Sequence, residues 1–276
     1  MIKDIVVNLQ LGEDGGPAGD YAISLASMFE AHIAGIAFVY DAIIPVSAVG
    51  YVPQEVIDVQ QRDNEAAAKA AISRFNAAVM RTGVLAEPLL LGSDYADAGR
   101  RFGRLARYFD LAVVGQPKAD GSPVEAMIAE STLFGAGRPV IMVPYVQKAP
   151  VKLDQVMVCW DGGGSAARAV GDAMPLLKRA RKIEVVVVAG ERGKPAEVEV
   201  ADIGRHLARH ALNVAVERIP AGDVEVGEAL LSRAADVGAD FMVMGGYGHS
   251  RLREFVLGGA TRSILRSMTV PVLMSH

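Results

Sequence analysis

The chain has 276 residues, 51% of them hydrophobic and 22% charged, with a formal net charge of −4. This composition supports a sizeable core in one large or two ordinary domains and excludes global disorder, while the acidic balance excludes a broad nucleic-acid surface, which needs a basic excess. Its single cysteine, Cys159, excludes an intrachain disulfide or a multi-cysteine metal site, and a reducing cytoplasm is the expected compartment.

Lys3 and Asp4 precede the short apolar run Ile5-Val6-Val7, too short for the h-region of a signal peptide. Gly12-x2-Gly15-Gly16-x2-Gly19 reads as a plain loop. The stretch from His32 to Val52 is mostly apolar, but Asp41 and Pro45 disfavour a membrane span, so we expect a buried strand over Ile33–Tyr40 and then a loop. A long helix follows around Pro53–Thr82, with Val56, Val59, Ile72, Phe75 and Val79 as its core stripe and Arg62, Asp63, Lys69 and Arg74 on the solvated face.

The pattern that comes next occurs twice. Asp110-Leu-Ala-Val-Val-Gly115 matches Asp240-Phe-Met-Val-Met-Gly245, Pro139–Met142 matches Pro271–Met274, and Ile5–Leu9 matches Val156–Trp160. An internal duplication sets the domain count at two, over residues 1–147 and 152–276, joined by the polar, proline-containing Gln147–Lys152. The first copy is longer by roughly 20 residues, which fall in the region of Ala42–Thr82.

In the second copy, strands are expected at Gln155–Trp160, Lys182–Ala189, Asn213–Ile219, Asp240–Gly245 and Val270–Ser275. Helices are expected near Ser165–Arg179, Ala196–His210, Val224–Val237 and Ala260–Ser267. Continuous apolar strands alternating with helices indicate a parallel, doubly wound α/β sheet in each half. Ligands on such sheets bind beyond the carboxyl ends of the strands, which here carry Asp161, Ala189-Gly190 and Gly245.

The segment after Gly245 is the most specific. Its spacing, Gly245-x2-Gly248-x9-Gly258-Gly259, permits close backbone approach to a ligand, and the second glycine pair stands just before a helix start, where free N–H groups suit a phosphate. With the strand Val156–Asp161 and its small-residue turn Gly162-Gly163-Gly164-Ser165, the segment resembles the universal stress protein family. The first half resembles the same family in strand order, so the whole chain resembles a tandem member.

The resemblance implies two domains with five-stranded parallel sheets, packed as a pseudo-dimer by pairing Val140–Val143 with Val272–Ser275. It implies an adenine nucleotide, ATP or AMP, in the second half, with Mg accompanying ATP. Asp161 would contact the adenosine, and the backbone at Val188 and Ala189 the adenine edge. Gly245 and Gly248 would let the chain pass the ribose and phosphates, and Gly258, Gly259 and Ala260 would offer N–H groups to the phosphates. Gly259 stands where the family pattern has Ser or Thr, and Thr261 matches a second hydroxyl position. In the first half Gln10 replaces the aspartate and Met127-Ile-Ala129 stands in place of Gly259-Ala-Thr261, so no phosphate cradle is expected there, only a structural partner or a site for something else.

The implied role is a stress-response regulatory protein whose nucleotide orders the glycine loop and alters a surface for a partner protein. Further association into a homodimer is left open. Alternatives are slow ATP hydrolysis or adenylate transfer, for which no catalytic residue stands out, and a nucleotide-free module binding another ligand or a protein. Other patterns carry less. Gly162-x-Gly164-x-x-Ala167 matches a dinucleotide fingerprint but lacks an acid about 20 residues on. His249 reads as solvated, His206 and His210 lack a third metal ligand, and no GxxxxGK[ST] occurs.

Overall fold

The computed structural model describes residues 1–12, 15–42, 53–118, 121–189, 200–220, 224–246 and 259–276. The first half runs β1 (Asp4–Asn8), α1 (Ala18–Phe29), β2 (His32–Tyr40), α2 (Gln54–Thr82), β3 (Ala86–Ser93), α3 (Ala98–Leu105), β4 (Leu111–Gly115), α4 (Pro123–Gly135) and β5 (Val140–Val143). The second repeats it as β6 (Gln155–Cys159), α5 (Gly164–Leu177), β7 (Lys182–Ala189), α6 (Val200–Arg209), β8 (Val214–Pro220), α7 (Val226–Asp236), β9 (Phe241–Gly245), α8 (Gly259–Ser267) and β10 (Val272–Ser275). Strand order is β3-β2-β1-β4-β5-β10-β9-β6-β7-β8. All pairs within a half are parallel, and the halves join through the antiparallel pair β5–β10, with Ile141 opposite Leu273. The expected pseudo-dimer is therefore one continuous ten-stranded sheet.

Helices cover both faces, which is why the central strands read as unbroken apolar runs rather than alternating ones. One core holds Ile5, Leu25, Ile141, Leu176 and Leu273, the other Val6, Phe102, Met142, Met242 and Met274. Each core draws residues from both halves. Among the described residues no helix is long and apolar enough to cross a membrane.

The repeated aspartate has a structural purpose. Asp110 accepts hydrogen bonds from the Lys3 and Asp4 amides at 2.8 and 3.1 Å, and Asp240 accepts from the Asp154 and Gln155 amides at 3.0 and 3.3 Å. Each ties the start of one strand to the entry of its neighbour. A second repeated device is a close helix crossing. A Cβ on Gly99 would lie 2.7 Å from the Met127 carbonyl oxygen and 2.8 Å from Ser131 Oγ; one on Gly227 would lie 2.8 Å from the Ala260 oxygen and 2.6 Å from Ser263 Cβ. Glycine thus brings α3 onto α4 and α7 onto α8.

One expectation needs correcting. Phe75 is buried and Ile72 and Val79 pack half-buried against the core, but Val56 and Val59 of α2 are 56% and 50% exposed, and the fully buried residues of the helix are Ala68, Ala71, Phe75 and Ala78. The reason is length. A helix of 29 residues spans about 43 Å, whereas the nine-residue β2 beneath it spans about 30 Å. Its first turns overhang the sheet, and apolar spacing there has nothing to pack against.

Because both cores cross the β5–β10 seam, Ile141→Ala should cost about 2–5 kcal/mol. Urea unfolding followed by circular dichroism and by Trp160 fluorescence should show one coincident transition for both halves, shifted to lower urea.

Candidate functional site

In the second half the strand order turns outward in both directions from between β6 and β9, and the crevice at such a reversal is where open α/β sheets hold ligands. Register places the expected residues there. Cys159 pairs with Val186 on β7 and with Met244 on β9. Two places further on, Asp161, Val188 and Gly246 stand level on three adjacent chain segments.

Asp161 follows β6 on a turn that needs Gly162 at φ +73°. Its Oδ1 accepts a hydrogen bond from the Gly163 amide at 2.8 Å, and α5 begins at the next residue. The first turn of α5 carries no acidic residue, nor does that of α8, which begins at Gly259. Both helices start at the carboxyl end of the sheet, so two positive helix ends flank the crevice without a carboxylate in either first turn. Val188 is half-buried, and Val188 and Ala189 close β7 opposite Ile219 and Pro220.

The glycines divide by purpose. A Cβ on Gly245 would lie 2.5 Å from the Ala166 nitrogen and 2.7 Å from the Ser165 carbonyl carbon, so Gly245 allows α5 to pack on the end of β9. Its close approach is to the protein's own backbone. Gly259 is exposed and has open space where a side chain would go. Ala260 is half-buried, and Thr261 is buried within the first turn of α8. Gly248 and Gly258, with His249, lie outside the described residues.

Cys159 is buried beneath the crevice, and burial, reinforced by the charge on Asp161, pushes its thiol up to about 12; this is an inert packing residue. His206 and His210 touch edge to face at 5.0 Å, and among the described residues no group of three His, Cys, Asp or Glu could hold a metal ion.

Residues from the first half reach this end of the sheet, which sequence reasoning missed. Gly246 donates its amide to the Ser275 oxygen at 2.8 Å, and a Cβ on it would meet the Leu133 side chain at 3.2 Å. Phe134 meets the His276 ring edge to face at 5.0 Å, and His276 Nδ1 lies 3.1 Å from the Gly246 oxygen. At the other end of the seam Gln116 Nε2 donates to the Leu265 oxygen at 2.8 Å and caps the last turn of α8. The only hint in the sequence was the paired repeat, which placed Gln116 and Gly246 at equivalent positions after β4 and β9.

Residues 152–276 match the model of the universal stress protein family. A universal stress protein of Synechocystis is 41% identical over 46 residues, 17% of this chain and 16% of that relative's length. Among solved structures, a universal stress protein from Archaeoglobus fulgidus superposes with a TM-score of 0.71 at 18% identity, covering 99% of this chain and 97% of that one. A protein of unknown function from Pseudomonas aeruginosa gives 0.63 at 13% identity, covering 99% and 92%. These likenesses establish the fold over the whole chain.

The two glycines should respond in opposite ways to a methyl group. Gly245→Ala should destabilise the protein by about 1–3 kcal/mol through overpacking, whereas Gly259→Ala, in open space, should be neutral or slightly stabilising. Thermal unfolding of the two variants checks this.

Proposed function

The chain belongs to the universal stress protein family through residues 152–276, and from that premise we propose that its second half binds an adenine nucleotide, ATP or AMP, in the crevice between β6 and β9. The observation that carries the reading is the pair of helix starts, at Gly164 and Gly259, with no acid in either first turn. They favour an anion through backbone N–H groups and helix dipoles, with no lysine or arginine needed at the crevice floor. Asp161, level with Val188, is the residue that would accept from a ribose hydroxyl, and the backbone at Val188 and Ala189 faces the base. Gly258, Gly259 and Ala260 supply N–H groups to the phosphates, Gly248 leaves room for them, and Mg enters with the triphosphate.

The role is regulatory binding. Gly246 joins the nucleotide-binding segment to a contact with Leu133 of the first half, so occupancy changes the surface next to α4 that a partner protein would meet.

Charge reversal tests the reading without disturbing the fold. Gly259 is exposed with free space, so Gly259→Glu fits, and an acid at a helix start stabilises the helix. It should weaken ATP binding at least tenfold, about 1.4 kcal/mol or more, in calorimetric titration, with the melting temperature of the free protein unchanged or raised. Unchanged ATP affinity, or no ATP or AMP binding by the parent protein, would sink the reading. Asp161→Ala should weaken ATP, AMP and adenosine alike, because it acts on the nucleoside rather than the phosphates.

A further inference from the structure

The first half has its own crevice, beyond the carboxyl ends of β1, β2 and β4, with a volume of about 1210 Å³. Its lining includes Gln10, Asp20, Tyr40, Asn64, Tyr95 and Glu125. It lies at the same place in the fold as the second-half crevice, but its chemistry differs in three respects.

The first is charge. The helices that begin at this crevice, α1 and α4, carry Asp20 and Glu125 in their first turns. These carboxylates already satisfy the positive helix ends, and they repel a phosphate. Lys118 and Lys148 also line the crevice, and Arg74 reaches its rim by donating to the Gly12 oxygen at 3.0 Å, so the acids are offset by cations. Both lysines and Asp20 are exposed, which leaves half-buried Glu125 as the charge most withdrawn from water.

The second is an unmet acceptor. Gln10, in the position of Asp161, donates from Nε2 to Glu125 Oε1 at 3.1 Å. Its own Oε1 is buried and has no hydrogen-bond partner. It lies between Gly16 and Gly115; a buried carbonyl without a donor is costly, and a turn of the Gln10 side chain that presents it to a ligand hydroxyl or N–H would relieve that cost.

The third is an aromatic wall. Tyr40 and Tyr95 stack with centroids 4.4 Å apart and planes 17° from parallel. Asn64 Nδ2 holds the end of β2 in place by donating to the Tyr40 oxygen at 2.9 Å. Burial, with smaller contributions from Tyr95 and Glu125, raises the Tyr40 phenol well above its ordinary range, so it stays a donor at neutral pH.

A stacking wall, a carboxylate, amides and a phenol, with acids offset by cations, suit a ring that presents a flat C–H or base face on one side and hydroxyls on the other. We propose that the first-half crevice binds an uncharged, polyhydroxylated ring compound, of the glycoside or nucleoside class, and discriminates against its phosphorylated form. This does not depend on what the second half binds.

The test uses the full chain and amide NMR of Gln10, Tyr95 and Lys118, which report on this crevice alone. The probes are methyl β-glucopyranoside and adenosine, with glucose 6-phosphate and AMP as their charged counterparts. One neutral probe should shift these amides and bind at least about tenfold tighter than its phosphorylated counterpart. Tyr95→Ala should weaken that binding about tenfold or more, and Asp20→Asn with Glu125→Gln should erase the preference for the neutral form. A response to methyl β-glucopyranoside identifies a glycoside, and one to adenosine a nucleoside. The proposal is overturned if neither neutral probe shifts these amides, if the phosphorylated probe binds tighter, or if Tyr95→Ala binds unchanged.

Discussion

The antiparallel pairing of β5 with β10 is the contact on which the rest depends. A five-stranded parallel sheet ending in a four-residue apolar strand would present unpaired backbone groups at that edge. Here each edge completes the other, and Val140–Val143 and Val272–Met274 are fully buried. The pairing also lets each core extend across the chain midpoint, so neither half keeps a separate apolar face on either side of the sheet. Fusing two copies in one chain makes this pairing intramolecular, and the polar stretch after β5 has only to pass β10 and β9 to reach the start of β6.

Given that frame, the halves have kept their scaffold and changed their helix starts. The aspartates at 110 and 240, and the glycines at 99 and 227, do the same work in both copies. The divergence lies where strands hand over to helices at the carboxyl end. In the second half those turns carry glycine and small residues, with Asp161 just before α5 but no acid in the first turn of α5 or α8; the first half has Asp20 and Glu125 in the first turns of α1 and α4, with Gln10 bonded to Glu125. A helix dipole can be satisfied either by a ligand or by the protein itself, and in the first half the protein's own acids do so.

The repeat, the α/β alternation and the strand positions were legible in the sequence because fully buried parallel strands leave continuous apolar runs, and the duplication showed each run twice; the seam was expected only through the family resemblance. The exposed start of α2 was not, since Val56 and Val59 keep helical spacing where the sheet beneath has ended. Nor was the packing role of Gly245: a spacing of glycines cannot distinguish room for a ligand from room for Ala166. The first-half site was hidden for a related reason. Reading Gln10 and Met127 as losses from a phosphate motif says what is missing, whereas stacked tyrosines from β2 and the turn after β3, and a carboxylate on α4, converge only in three dimensions.

The antiparallel seam has a further geometric consequence. It places the carboxyl end of one half's sheet beside the amino end of the other, so the two crevices open at opposite ends of the molecule. Each strand that enters a crevice at the seam side then abuts the last helix of the opposite half. Gln116, just past β4, caps α8. Gly246, just past β9, packs on Leu133 of α4. The two residues are equivalent in the repeat, and each donates its backbone amide to a carbonyl oxygen of its own last strand, Gln116 to Val143 at 2.7 Å and Gly246 to Ser275 at 2.8 Å. A ligand in either crevice therefore sits within a residue or two of a position held by the other half. Differential contact at that position is the minimum requirement for one site to bias the other, and here it follows from two-fold packing rather than from any added element.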